Sequence, residues 1–394
     1  MTGDEPQPGT AAPDGAPGVR AAERSSRVRA RYVMVGGFLG AGKTTAIVRL
    51  ARLLTDRGRR VGLITNDQSV GLVDTTLARA QGFPVEEITG GCFCCRFNTL
   101  MEAADRLNAE ARPDVFLAEP VGSCTDLRAA VSYPLRRMYG DAFEIAPLSV
   151  LVDPLRALRV LGLEAGRSFS RKVLYVYDRQ LAEADVIVVN KVDLLDAARL
   201  GRLRDALAER YPQAEVLAMS AREGTGLEPW VELVTRGSMG LGAAPDVDYD
   251  TYAEGEALLG WLNATVRVRS AAPFDGNALL RELAAAMADA VGAGEIAHLK
   301  MTLTADELPA DIAVLNLVAE DRGAELAHTL KAPVDAAELI VNLRAEHEPL
   351  RLREAALAAL VAWEAAGRDR RAEVEHVEHF RPARPTPTYR LATA

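Results

Sequence analysis

From Tyr32 onward, short apolar runs recur at Tyr32–Val35, Val61–Ile64, Val115–Ala118, Leu148–Val152, Val186–Val189 and Val216–Met219. Between them lie segments whose apolar residues return every three to four positions, among them Thr44–Leu54, Thr99–Ala111, Ala197–Arg210 and Leu227–Thr235. Runs that are apolar at every position, separated by amphipathic helices, predict a parallel sheet covered on both faces. Residues 31–237 therefore read as a doubly wound α/β domain.

The pattern changes after that point. Residues 238–253 are small, flexible and then acidic, which reads as a linker. Within 254–366, Trp261–Arg269, Ile296–Leu303, Ile312–Val318 and Leu339–Leu343 read as strands, and Asn277–Val291 and Leu350–Ala366 as helices. This second unit is a smaller α+β domain, with a ferredoxin-like arrangement as the candidate. Residues 1–30 lack the apolar side chains that offset ordering entropy and read as a disordered leader; residues 367–394, charged and then Pro-rich, read as a tail.

The 394 residues carry 46 Lys and Arg against 55 Asp and Glu, a formal charge of −9. That balance argues against a coat for nucleic acid or an anionic membrane surface. There is no apolar stretch long enough for a membrane span and no apolar signal core, so a cytoplasmic location is expected. Four Cys are too few for a disulfide framework, and three of them fall together at Cys92, Cys94 and Cys95.

Chemistry begins at Gly37-Phe38-Leu39-Gly40-Ala41-Gly42-Lys43-Thr44, a G-x-x-x-x-G-K-[ST] loop between a strand and a helix. Its backbone N–H groups are expected to cradle phosphate oxygens, Lys43 to reach the β- and γ-phosphates, and the Thr44 hydroxyl to bind Mg²⁺. Asn190-Lys191-Val192-Asp193 ends the run Val186–Val189. An Asp there accepts from the N1–H and the exocyclic amine of guanine, Asn190 braces base and loop, and the Lys191 stem packs on the purine. Ser220-Ala221-Arg222 is placed to offer a backbone N–H to the guanine O6, so GTP is expected over ATP.

Between these motifs, Glu119-Pro120-Val121-Gly122 follows the run Val115–Ala118. Glu119 is the candidate for orienting Mg²⁺-bound water or the nucleophile, and Gly122 for sensing the γ-phosphate. Asn66-Asp67 is a second switch candidate or simply a turn, and Asp153 either supports the nucleotide pocket or caps a helix. No Arg or Gln is placed by motif to orient water, so hydrolysis without a partner or metal is expected to be slow.

Cys92-Phe93-Cys94-Cys95 brings three soft thiolates together, a donor set for Zn²⁺ or Co²⁺ rather than Mg²⁺. A redox pair and a buried structural cluster are the other readings. Cys124, two residues beyond Gly122, and Asp67 are candidates to complete the site in one nucleotide state. His376 and His379 read as part of a solvated charged tail, and His298, His328 and His347 carry no signal.

Taken in order, the loop at 37–44, Gly-Gly-Cys-x-Cys-Cys at 90–95, Glu-x-x-Gly at 119–122, Asn-Lys-x-Asp at 190–193 and Ser-Ala at 220–221 resemble the CobW-like family of metal-handling P-loop GTPases. The resemblance implies GTP-dependent delivery of a transition metal to a client metalloprotein. It assigns Gly37, Gly40, Ala41, Gly42, Lys43, Thr44 and Thr45 to the phosphate loop, Cys92, Cys94 and Cys95 to the metal, and Glu119 and Gly122 to the switch. Asn190, Lys191, Asp193, Ser220 and Ala221 take the base. A nucleotide-dependent homodimer is a further expectation. Asn66-Asp67-Gln68-Ser69 replaces the Asn-Glu-Phe-Gly of many members, so a Glu ligand becomes a shorter Asp or is lost. The competing reading is a regulatory GTPase with a structural or redox-sensing Cys cluster.

Overall fold

The run Tyr32–Val35 lies in strand β1 (Ala30–Gly37), where every position after Ala30 is buried. Tyr32 and Met34 enter one apolar layer with Phe116, Val150 and Ile187, while Val33 and Val35 enter another with Leu117, Leu151 and Val188. Successive side chains of a strand point to opposite faces, so a run apolar at consecutive positions is one that feeds two cores. The computed structural model describes residues 29–66, 82–240, 242–292, 294–308, 311–318 and 323–393.

Parallel to β1 run β2 (Val61–Asn66), β3 (Val85–Ile88), β4 (Val115–Glu119), β5 (Phe143–Ile145), β6 (Ser149–Val152), β7 (Val186–Val189) and β8 (Glu215–Ala218). Their order is β3-β2-β4-β1-β6-β7-β8, with β5 pairing beside the first half of β1 and β6 beside the second. Helices α1 (Lys43–Asp56), α2 (Phe97–Glu110), α3 (Tyr133–Tyr139), α4 (Pro154–Val160), α5 (Arg171–Ala182), α6 (Ala197–Arg210) and α7 (Leu227–Arg236) connect the strands. The C-terminal ends of β1, β4 and β7 deliver the phosphate loop, Glu119 and Asn190 to one edge of the sheet, the position where open α/β sheets bind ligands.

A helix α8 (Tyr249–Leu258) leads into the second domain, followed by β9 (Leu259–Phe274), α9 (Gly276–Val291), β10 (Ile296–Ala305), β11 (Ile312–Leu317), β12 (Glu325–His328), β13 (Val334–Glu346), α10 (Pro349–Ala365) and β14 (Arg371–Phe380). The sheet is antiparallel, in the order β12-β11-β10-β13-β9-β14. Helices α9 and α10 cover one face through Leu279, Leu283, Met287, Leu352 and Trp363. The segment β10-β13-β9-β14, with helices after β9 and after β13, is ferredoxin-like; β11 and β12 extend it at one edge. Among the described residues no helix is long and apolar enough to cross a membrane.

Two segments depart from expectation. Residues 371–380, read as part of a tail, are the edge strand β14, paired with β9 from Arg371↔Arg269 to Phe380↔Trp261. The register shifts between Val374 and His376, so Val374 and Val377 both pack on the same core despite their odd spacing. A bulge of this kind breaks the period-two pattern that identifies a strand, and the charges between hide what is left. Nor is the stretch read as a linker a free one. Met239 is buried, Arg128 donates to Gly240 O, Tyr133 donates to Gly242 O, and α8 packs beside α5 through Gly255 against Lys172.

Candidate functional site

The phosphate loop turns sharply because its glycines adopt backbone angles closed to other residues. Gly42 has φ +87°, and a Cβ on it would lie 2.5 Å from Asn190 Nδ2, so the loop and the Asn-Lys-x-Asp segment touch only because no side chain intervenes. Lys43 Nζ donates to Gly37 O at 2.9 Å, folding its ammonium over the loop that opens α1. Thr44 donates to Glu119 Oε1 at 3.0 Å, which puts a hydroxyl and a carboxylate, oxygen donors of the kind that suit a hard cation and its bound water, side by side. Both Thr44 and Glu119 are buried, and Thr45 is exposed on the first turn of the helix.

Asn190 donates to Ala41 O at 2.9 Å and accepts from Ala221 N at 3.0 Å. Within Ser220-Ala221-Arg222, the segment expected to offer a backbone N–H to the guanine O6, the Ala221 N–H serves the buried Asn190 carbonyl oxygen. Lys191, at φ +55°, donates to Gly40 O at 2.7 Å and to Asp153 Oδ2 at 2.9 Å. Asp153 combines its two candidate roles: Oδ1 accepts from Arg156 N as the N-cap of α4, and Oδ2 holds Lys191. Burial opposes the charge of Asp153, but Lys191 and Arg156 hold its pKa at about 2. Asp193 accepts from Ser220 Oγ at 2.6 Å and from Arg222 at 2.6 Å, and Arg222 also pairs with Glu325 of β12. The second domain therefore reaches the base site.

The thiols of Cys92, Cys94 and Cys95 lie within 4.8 Å of one another, with Cys92 Sγ 2.8 Å from Cys94 Sγ and 3.2 Å from Cys95 Sγ, and Cys94 Sγ 3.8 Å from Cys95 Sγ. Tetrahedral Zn²⁺ with Zn–S near 2.3 Å separates its sulfurs by about 3.8 Å, so two of these contacts would open slightly around such an ion. Cys124 is fully buried and acts on the charge of this group, while among the described residues the sulfurs within 4.8 Å of one another are those of Cys92, Cys94 and Cys95. Three thiols converge on Cys92, Cys124 foremost, and hold it well below its usual pKa, while Cys94 and Cys124 are pushed up and Cys95 rises to about 11. One thiolate stabilised by three thiols is a nucleus for a soft cation. Asp67 lies outside the described residues. Its neighbour Asn66 is a brace, donating to Ile88 O at 3.0 Å and Gly91 O at 2.7 Å and accepting from Phe93 N at 3.0 Å, which shapes the Cys loop.

Several residues around the site carry no sequence motif. Gln180 of α5 donates to Gly122 O at 2.9 Å and to Cys124 O at 2.8 Å, clamping the segment after Glu119. Glu256 of α8 is buried and accepts from Ser123 Oγ at 2.6 Å; burial raises its pKa well above the carboxylate range. Residues 386–391 cross the Cys loop: Thr388 N donates to Cys94 O at 2.8 Å, Thr386 N to Cys95 Sγ at 3.2 Å and Leu391 N to Ala129 O at 2.9 Å. A helix periodicity or a charge run announces none of these. By contrast, His376 and His379 sit on β14, His376 beside Glu378 at 3.1 Å, and neither belongs to the thiol group.

Residues 31–218 match the family model for the CobW/HypB/UreG nucleotide-binding domain. Similar proteins include the zinc chaperone CobW of a Sinorhizobium species, 28% identical over 246 residues, covering 57% of this chain and 66% of that protein. The zinc chaperone YeiR of Escherichia coli K12 is 31% identical over 169 residues, covering 41% of this chain and 47% of its own. The matches thus span from about half to just under two thirds of these relatives. A solved structure, the Zn(II)-bound YjiA GTPase of E. coli, covers 84% of this chain and 99% of its own at 16% identity and a TM-score of 0.38. Residues 31–218 of this chain are a CobW/HypB/UreG nucleotide-binding domain.

Proposed function

We propose that this chain is a GTP-hydrolysing metallochaperone that holds Zn²⁺ or Co²⁺ on its thiol cluster and passes it to a client metalloprotein. Gly37, Gly40, Ala41, Gly42, Lys43, Thr44 and Thr45 take the phosphates; Thr44 is a Mg²⁺ ligand and Glu119 positions water in its shell. Asn190, Lys191 and Asp193 take guanine, with Asp193 keeping Ser220 and exchanging Arg222 for the base. Cys92, Cys94, Cys95 and Cys124 hold the cargo. Thiols kept free for metal require a reducing compartment, which fits the cytoplasm.

One observation carries this reading. Glu119, Gly122 and Cys124 lie within six consecutive residues, and the buried Cys124 thiol is the foremost of the influences that hold Cys92 below its usual pKa. A segment drawn toward the γ-phosphate at one end therefore moves a sulfur of the metal site at the other. A switch requires a ligand with unequal affinity for two states, and each tenfold difference in metal affinity corresponds to about 1.4 kcal/mol. Hydrolysis relaxes the segment and lowers that affinity. Competition titration of Zn²⁺ and Co²⁺ with a GTP analogue, with GDP and without nucleotide tests it: affinities that differ at least tenfold support the coupling, and equal affinities in all three sink it.

A further inference from the structure

The face of the second sheet turned away from α9 and α10 is polar. On β10, Leu299, Met301 and Leu303 join the apolar core, so His298, Lys300 and Thr302 occupy the other side. In register with Lys300 stand Asn342 on β13 and Asn316 on β11, and Asn263 on β9 is opposite Asn342; Arg344 is opposite His298. Asn263, Asn342, Arg344, His298 and Thr302 are all at most 8% exposed. Burying such a row of polar groups is unfavourable unless something polar faces it.

Asn342 and Arg344 are paired within the sheet, to Asn263 Oδ1 and Leu262 O, and the phosphate loop meets the sheet at Gly40 and Thr44. A Cβ on Gly40 would lie 2.6 Å from the Val318 side chain and 3.1 Å from Ala297 O. Arg156 pins the two domains together there, donating to Leu39 O of the loop, to Ala297 O at 2.9 Å and to Val318 O at 2.8 Å, with its guanidinium over Phe38 and Phe169. At the centre of this contact Lys300 Nζ is 3.5 Å from Thr44 Oγ1. His298 is kept neutral by burial and by the cations around it, Lys300, Arg344, Lys43 and Arg156, which come from both domains.

Resting on the GTPase reading above, we propose that Lys300 is a phosphate-binding residue supplied by the second domain, which contacts the terminal phosphate of GTP and so lets that domain distinguish GTP from GDP. A cation aimed at the transferring phosphoryl group from outside the loop is the electrostatic element that the nucleotide motifs lack.

The test uses the full chain with Lys300→Met, which keeps the stem and removes the charge, and Lys300→Arg, which keeps the charge. Affinities for GDP and a non-hydrolysable GTP analogue are read with fluorescent nucleotides, and hydrolysis in single turnover. Lys300→Met is expected to weaken the GTP analogue at least tenfold and GDP less than threefold, and to slow hydrolysis at least tenfold; Lys300→Arg recovers most of each. Equal weakening of both nucleotides, or none, overturns the assignment while leaving the GTPase reading intact. A wild-type chain that binds neither guanine nucleotide overturns that reading, and the role of Lys300 with it.

Discussion

The backbone N–H of Thr386 donates to Cys95 Sγ at 3.2 Å, a contact between residues 291 apart in the chain. The half-exposed member of the thiol cluster is thus covered by the far C-terminal segment, and its sulfur receives a donor that favours the thiolate over the thiol.

Removing that donor weakens metal binding. Thr386→Pro deletes the N–H in a stretch already flanked by Pro385 and Pro387, so the local backbone changes little. The loss of one hydrogen bond, about 1 kcal/mol, predicts about fivefold weaker Zn²⁺ binding in a chelator competition, along with a higher pKa for Cys95 in an alkylation rate profile. Unchanged values for both would show that the contact does not tune the thiolate.

The same segment is latched by Arg390, which donates to Asp126 Oδ2 at 2.8 Å while Tyr249 donates to the same oxygen at 2.6 Å. Burial raises the Asp126 pKa, and Tyr249 and Arg390 pull it back. Arg390→Ala leaves a buried carboxylate with one partner fewer. The Arg side chain is 34% exposed, so the expected loss is about 1–2 kcal/mol rather than the full cost of breaking a buried pair. Urea titration reads the stability, and faster modification of Cys95 reads release of the segment.

Cys124 is the proposed tie between the segment after Glu119 and the thiol cluster. Cys124→Ser keeps its volume, and it is expected to lower Zn²⁺ affinity at least tenfold and to abolish the difference between GTP-analogue and GDP states. Retention of both the affinity and the difference removes Cys124 from the ligand set.

A pH effect follows from Glu183 at the end of α5. Burial pushes its pKa up to about 8, against the donors Arg128 N at 2.8 Å and Thr125 Oγ1 at 3.1 Å, with Asp126 adding to the rise. Between the unfolded value near 4.3 and about 8, the folded protein keeps a proton the unfolded chain has released. Stability therefore falls as pH rises through that window. Glu183→Gln mimics the protonated form, so its midpoint in urea should change less between pH 6 and pH 8 than that of the wild type; parallel declines would assign the effect elsewhere.

The chain's local chemistry was legible wherever function demands consecutive residues. A phosphate loop needs Gly37 through Thr44 in one turn, a base-reading segment needs Asn190 through Asp193 at one strand end, and a thiol cluster is most simply built from Cys92, Cys94 and Cys95 in one loop. The parallel sheet was legible because strands buried on two faces are apolar at every position. The ferredoxin-like sheet was only half legible, since β14 is an edge strand with a bulge and spends one face on charge.

What no periodicity contains is which distant residues meet. That Cys124 acts on Cys92 depends on where the turn after β4 lies, and Gln180 holds that turn from another helix. Glu256 reaches Ser123 and Thr386 reaches Cys95 from segments read as the start of a domain and as a tail, and Lys300 reaches Thr44 across a domain boundary. The sequence by itself determined the nucleotide and thiol motifs, because their atoms are fixed by short-range covalent geometry. Only the tertiary structure decided which second-domain and C-terminal groups stand over them, because those contacts depend on how separately formed cores pack together.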